Sequence, residues 1–242
     1  MKWLVAGAFA LTATVIAPRA DAVVLDDFDG GSLGSIAGVI TDESGDLQTE
    51  VTTIGTGLCT GYSGGSGGAL CLQGDSTGPA DEIFVDYEGI TFNDTDELTF
   101  TLATLTTADF EAADFINVSV GFDTNSTPGN DQFVQIVNFI GDAAGSAGTP
   151  GQQFIQTGGI ATASPTSSTF QMIVVPVQTI LLDAGVGSGT TGDLRFNFSL
   201  SSVNEFAAFD NVSLVPVPLG PTLPLLLAGI GALALHRRMM KS

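Results

Sequence analysis

Carboxylates are the side chains through which this chain could do chemistry, and they fall into three groups. Glu82, Asp86 and Glu88 share parity within a band that also holds Asp81, Asp94, Asp96 and Glu97. On a continuous strand equal parity puts them on one face, with alternate residues about 7 Å apart. A glycoside hydrolase needs two carboxylates roughly 5 to 10 Å apart across a cleft. The spacing permits hydrolysis, but a strand face with several acids is normally just the solvated face. The second group is the stretch Asp123-Thr124-Asn125-Ser126-Thr127-Pro128-Gly129-Asn130-Asp131, which is rich in oxygen donors. Its spacing departs from an EF-hand, with Val134 where the bidentate glutamate belongs. It reads as a hairpin loop filled with turn formers. The third group is split between two distant phrases, Val23-Val24-Leu25-Asp26-Asp27-Phe28-Asp29 and Phe206-Ala207-Ala208-Phe209-Asp210-Asn211-Val212-Ser213-Leu214. Taken alone, Asp210 and Asn211 are good partners for the backbone of a nearby turn.

Absent residue types narrow the chemistry further. The single histidine, His236, and the single tryptophan, Trp3, lie near the two ends. Of the six Lys and Arg, five are terminal (Lys2, Arg19, Arg237, Arg238 and Lys241), and only Arg195 lies between. Lack of histidine removes Ser-His-Asp and Cys-His catalysis and the commonest zinc ligand. Lack of lysine removes Schiff-base chemistry and a phosphate-binding P-loop. Of the 26 acids only Asp21 precedes residue 23, so 25 acids face one arginine, a net charge of −24. Such a field repels nucleic acid and anionic lipid, which bind through Lys and Arg. It also calls for screening by salt or divalent cations.

The two ends set the topology. Lys2 is a minimal positive segment, Trp3 to Ala17 is apolar apart from Thr12 and Thr14, and Ala20-Asp21-Ala22 fits an A-x-A cleavage site. Residues 1–22 therefore read as a secretory signal peptide. At the other end, the 18 residues from Pro218 to Leu235 carry no charge. As a helix they span about 27 Å, close to the roughly 30 Å of a bilayer core. His236, Arg237, Arg238 and Lys241 follow at once, which places the C-terminus on the cytoplasmic side. The expected organisation is a signal peptide over 1–22, an ectodomain over 23–215, and a tail over 216–242 with a transmembrane helix at 218–235.

The tail resembles the VPLPA-CTERM variant of the PEP-CTERM sorting signals of bacterial envelope proteins. Val217-Pro218-Leu219 match that motif, and Gly220-Pro221 stand where Pro-Ala is usual. After Thr222, the run Leu223-Pro224-Leu225-Leu226-Leu227-Ala228-Gly229-Ile230-Gly231-Ala232-Leu233-Ala234-Leu235 follows the family pattern, and Arg237-Arg238 close it. The resemblance implies an exosortase-type membrane peptidase as partner, cleavage near the motif, and delivery to the cell surface or extracellular matrix. An ordinary single-span anchor is the alternative.

Between the ends, alternation of apolar and polar residues with Gly-rich breaks predicts an all-β protein. Leu98–Leu102, Phe115–Phe122, Phe133–Ile140, Phe170–Val177 and Leu194–Leu200 read as strands with one buried face. Gly64-Gly65-Ser66-Gly67-Gly68, Ser126–Asn130, Gly145–Gly151 and Gly185–Gly189 read as turns, and Ala108–Ala113 as one helical turn. The expected fold is an antiparallel β-sandwich of jelly-roll type. Cys59 and Cys71, the only cysteines, are an even pair in an exported segment, and a disulfide is expected. The closing phrase Phe206–Leu214 resembles the last strand of jelly-roll modules related to carbohydrate-binding domains. That resemblance implies a structural calcium ion held by Asp210 with Asp27 or Asp29.

The leading expectation is a non-enzymatic secreted protein of the envelope or matrix. A calcium-dependent carbohydrate-binding module that holds exopolysaccharide, and a carboxylate-based glycoside hydrolase, are the alternatives. Sequons at Asn93, Asn117, Asn125, Asn197 and Asn211 are expected by chance in so Ser/Thr/Asn-rich a chain.

Overall fold

The computed structural model describes residues 22–32, 37–42, 48–65, 67–74, 81–105, 114–124, 132–141, 154–164 and 167–217. The signal segment, the sorting tail with its expected span, the loop residues 125–131 and the expected helical turn at Ala108–Ala113 lie outside these residues. Among the described residues no helix is long and apolar enough to cross a membrane.

Among the described residues, twelve strands form two six-stranded sheets. In chain order they are β1 (Val23–Asp26), β2 (Val39–Asp42), β3 (Gln48–Thr53), β4 (Gly68–Gln73), β5 (Asp81–Phe92), β6 (Asp96–Thr104), β7 (Phe115–Phe122), β8 (Gln132–Gly141), β9 (Phe154–Gly158), β10 (Gln171–Pro176), β11 (Thr190–Leu200) and β12 (Phe206–Pro216). The first sheet runs β10-β6-β12-β4-β3, with β1 also on β12; the second runs β2-β5-β11-β7-β8-β9. Every strand pairing is antiparallel. This is the expected two-sheet sandwich.

The core lies between the sheets and is built on phenylalanine. Phe209 of β12 stacks on Phe196 of β11 at 4.5 Å and on Phe198 at 5.5 Å, while Phe28 meets it edge-on at 5.2 Å. Offset and edge-to-face pairs of this kind add about 0.5–1.5 kcal/mol each beyond burial. Strand β11 shows the cause of its own placement: Leu194, Phe196 and Phe198 are buried, and Arg195 and Asn197 face out.

One element departs from the expectation. The strand expected to reach Val177 stops at Pro176, and Val177–Ala184 form the helix α1. Val177, Ile180, Leu181 and Ala184 are its buried residues, the helical spacing i, i+3, i+4, i+7. Gly185, at φ 69°, closes it through bonds from its N–H to Leu181 and Leu182 carbonyls. The helix packs against β8, β6 and β10 and so closes one side of the core.

The two outer faces differ. On the first sheet, Ala69 and Cys71 of β4, Ala103 of β6 and Ala208 of β12 are small, buried and covered by a satellite cluster with Tyr62 and Phe170. The cover is the 54–65 segment, pinned by the Cys59–Cys71 disulfide, whose Cα atoms are 5.5 Å apart. Glu50 steadies it by accepting a 2.7 Å bond from the Leu58 N–H.

Candidate functional site

The buried aspartate Asp210 sits where the neighbours of β12 change. On one side of β12, β4 pairs with Phe206–Phe209 and β1 pairs with Val212–Leu214. Asp210 and Asn211 fall in the gap, and the pairing to β6 slips at the same place. Asn211 takes φ 55° there. The chain leaving β1 folds over this gap. Asp26 accepts from the Phe28 and Ala37 N–H groups, Asp27 accepts from Asp29, and Asp29 accepts from the Gly68 N–H at 3.1 Å. Phe28 adopts φ 53° to make the hook and buries its ring on Phe209. Gly68 must lack a side chain, because a Cβ would strike the Phe28 carbonyl.

The electrostatics of this junction are one-sided. Asp210 is fully buried; its carboxylate accepts from the Asn211 N–H at 2.6 Å and side-chain amide at 2.5 Å, and its backbone carbonyl accepts from the Thr101 hydroxyl of β6 at 3.1 Å. Burial pushes its carboxyl up to about 7 against the Asn211 bond, and the charges of Asp29, Asp27 and Asp26 add to the rise. Tyr87 reaches toward Asp26 from the opposite sheet; burial first, then Asp26, holds its hydroxyl neutral. Asp26, Asp27 and Asp29 thus lie close enough for their charges to act on Asp210, and the fold adds Tyr87 beside Asp26. Their oxygens are hard donors of the kind calcium takes. Among the described residues, no three His, Cys, Asp or Glu stand together at metal-binding spacing.

The second candidate is the outer face of the second sheet. Strand register lays its outward side chains in rows that cross the strands. One row runs Val39, Asp86, Arg195, Ser119, Gln135 across β2, β5, β11, β7 and β8. The next runs Thr41, Phe84, Asn197, Asn117, Asn138 across the same strands. Amides link this second row: Asn197 donates to Glu82 at 2.9 Å, Asn117 to Asn138 at 3.2 Å, and Asn138 to Thr157 of β9 at 3.0 Å. Neighbouring strands are about 4.8 Å apart, so each row extends about 19 Å over five strands.

Arg195 stands at the centre. Its Nε and Nη2 donate to the two Asp86 oxygens at 2.7 and 2.8 Å, a bidentate pair. Its guanidinium lies 4.7 Å from the Phe84 ring centre. The Asp86 bond pushes the arginine further up from its ordinary value. A third row, Asp193, Gly121, Phe133, has glycine in the middle, and the missing side chain leaves a hollow. A pocket of about 220 Å³ lies there, lined by Asp86, Glu88, Gly121, Phe133, Asp193 and Arg195. Phe133 leaves 59% of its surface in water at the rim.

Of the band read from the sequence, Glu82, Asp86 and Glu88 lie on one strand with buried Ile83, Val85 and Tyr87 between them. Asp86 and Glu88 line the pocket, and Glu82 holds Asn197 one row away. The sequence reading missed Arg195, Phe84, Phe133 and the amide row, although the alternation of β7, β8 and β11 marks their outward positions.

No protein-family model matches the chain, and no curated protein matches it. Among solved structures, it is similar to the family 11 carbohydrate-binding module from Clostridium thermocellum in complex with a β-1,3-1,4-mixed-linked tetrasaccharide. Identity is 11%, the match covers 82% of this chain and 98% of that one, and the TM-score is 0.43. The K3 cleaved adhesin domain of Lys-gingipain from Porphyromonas gingivalis gives 14% identity over 80% and 99%, with a TM-score of 0.45. A xylan-binding CBM22 domain from Paenibacillus barcinonensis gives 11% over 83% and 97%, with a TM-score of 0.41.

Proposed function

We propose that the ectodomain is a non-catalytic carbohydrate-binding module that holds polysaccharide on the outer face of its second sheet. The observation that supports this reading is the set of rows crossing that face. Planar amide, carboxylate and guanidinium groups are fixed by one another, and aromatic rings lie beside them. Sugars present hydroxyls to such planar groups and apolar C–H faces to rings. Among the described residues no segment covers this face, whereas the 54–65 segment covers that of the first sheet. The sorting tail would place the module in the envelope, with an exosortase-type peptidase as its processing partner, and the surrounding exopolysaccharide as its ligand.

Calorimetric titration of the full-length chain in detergent against a panel of soluble polysaccharides tests the reading. Binding to at least one of them, lost in Arg195→Ala and in Asn138→Ala, is the expected result. Absence of binding to every polymer, with and without calcium, overturns it.

Calcium at the β1–β12 junction belongs to the same proposal. Asp210, with Asp27 or Asp29, would hold the ion, which would supply the positive charge that this buried carboxylate lacks. Chelation is expected to lower the melting temperature, and calcium to restore it. A melting curve indifferent to both removes the metal.

A further inference from the structure

We propose that the domain pairs with a second copy of itself along the outer edge of β10, antiparallel across a two-fold axis at Ile173. The pairing stands apart from the sugar-binding reading and does not depend on it.

Charge singles out this edge. Acids are spread along most of residues 23–215, yet from Ala143 to Leu182 no residue is charged. That run supplies β9 and β10, the end strands of the two sheets, and most of α1, which packs on β8 beside β9 and on β10 itself. The other strands at sheet edges hold acids: Asp26 lies in β1, Asp42 in β2 and Glu50 in β3. Charged residues on edge strands are a usual barrier to edge-to-edge pairing. β10 has none, and its Met172 and Val174 leave 68% and 43% of their surface in water. Two copies, each with 25 acids against one arginine, repel wherever acid meets acid. The β10 side offers them a neutral approach.

Backbone direction fixes the register. The Thr104 N–H donates to the Ser167 carbonyl on the β6 side, whereas the Phe170 N–H donates to the Ser63 carbonyl on the opposite side. Alternate residues of a strand send their N–H and C=O the same way. Met172 and Val174 therefore share the direction of Phe170, away from β6. Among the described residues no strand lies on that edge of β10. The Phe170 N–H is already taken and Pro176 has none, so Met172 and Val174 are left to pair. Met172 of one copy opposite Val174 of the other uses both donors and both acceptors of each edge. It also sets the two exposed side chains against each other on the face of the joined sheet. Glu97, opposite Pro176 on β6, then lies across from the uncharged Phe170 end of the other copy. The interface is isologous, as in most two-fold dimers.

Sedimentation velocity of the full-length chain in detergent tests the pairing. A reversible dimer is expected at about 150 mM sodium chloride, weakening at about 10 mM, where the acids elsewhere are less screened. Val174→Lys should weaken it at least about tenfold. Val203→Lys, at an exposed position on the β11–β12 loop, should not. Disulfide trapping checks the register: a Met172→Cys chain mixed with a Val174→Cys chain should crosslink under oxidised glutathione, and neither should crosslink alone. The native cysteines are closed in their own disulfide and stay out of the reaction. A monomer at every concentration and salt overturns the proposal. So does a dimer that survives Val174→Lys, since it is joined elsewhere, or one that tightens at low salt. Failure of the mixed variants to crosslink overturns the register and the pairing with it.

Discussion

Arg195 is the residue on which the second sheet's surface turns, because nothing else on that face is positive. Its pair with Asp86 is solvent-exposed, and exposed pairs contribute about 0–1 kcal/mol to stability. Arg195→Ala should therefore leave the melting temperature within about 2–4 °C of wild type, the shift 1 kcal/mol gives in a domain of this size, while lowering sugar affinity at least about tenfold, the worth of one charge-assisted contact. Calorimetry with a thermal melt on the same preparation separates the two. Phe28 behaves in the opposite way. It is buried to 1% exposure against Phe209 while holding a left-handed backbone. Phe28→Ala should cost about 3–5 kcal/mol in chemical denaturation, as large-to-small core changes do, because it empties the space beside Phe209 and frees the hook around Asp210. The hook was only half legible in the sequence. Asp26, Asp27, Asp29 and Asp210 stand out as oxygen-rich phrases, but Tyr87 joins them only when the two sheets close. Likewise the parity of Glu82, Asp86 and Glu88 is visible in sequence, whereas the partner that gives Asp86 its role lies 109 residues away.

The loop between β11 and β12 carries a second buried carboxyl. Glu205 accepts from the Ser202 N–H at 2.9 Å and from the Ser201 N–H, and it is hydrogen-bonded to Asp114 at the start of β7. Both carboxyls are fully buried. Burial, reinforced by the Asp114 charge, pushes Glu205 up to about 8 from an ordinary 4.5. The folded state thus keeps a proton that the unfolded chain releases, so this site lowers stability as pH rises from about 4.5 to about 8. Glu205→Gln retains an acceptor for the serine N–H groups and should melt several degrees above wild type at pH 9, with a smaller difference at pH 5. The disulfide belongs to this scale too. Replacing Cys59 and Cys71 with serine should cost about 3 kcal/mol, the closure entropy of a loop of this length, and should loosen the cover over Ala103 and Ala208. Elements differed in how plainly they could be read. β7 and β11 alternate cleanly and are found where the pattern places them. β4 does not alternate: Gly68-Ala69-Leu70-Cys71-Leu72 is buried on both faces, because the disulfide-pinned segment covers its outer side. Period two disappears when both faces are covered. The helix α1 is hidden because its eight residues follow directly on a strand, too short a run for helical periodicity to stand out.

Across the whole molecule the net charge of −24 on residues 23–215 is a self-repulsion that salt relieves. Raising sodium chloride from about 10 mM to about 150 mM shortens the screening length from about 30 to about 8 Å. The melting temperature should rise over that range; a flat profile would show that the acids are already too far apart to interact. Strand β12 has a mechanical consequence. Among the described residues it is the last strand, and it lies inside its sheet: β6 flanks it from Ala207 to Pro216, with β4 and then β1 on the other side. Under the proposed reading, a load applied at Val217 and resisted at the opposite sheet pulls along the axis of β12. Hydrogen bonds on both flanks then bear the force together in shear and are not peeled open one by one. Tension applied at the C-terminal end of β12 should therefore unfold the domain only at high force, which force spectroscopy measures.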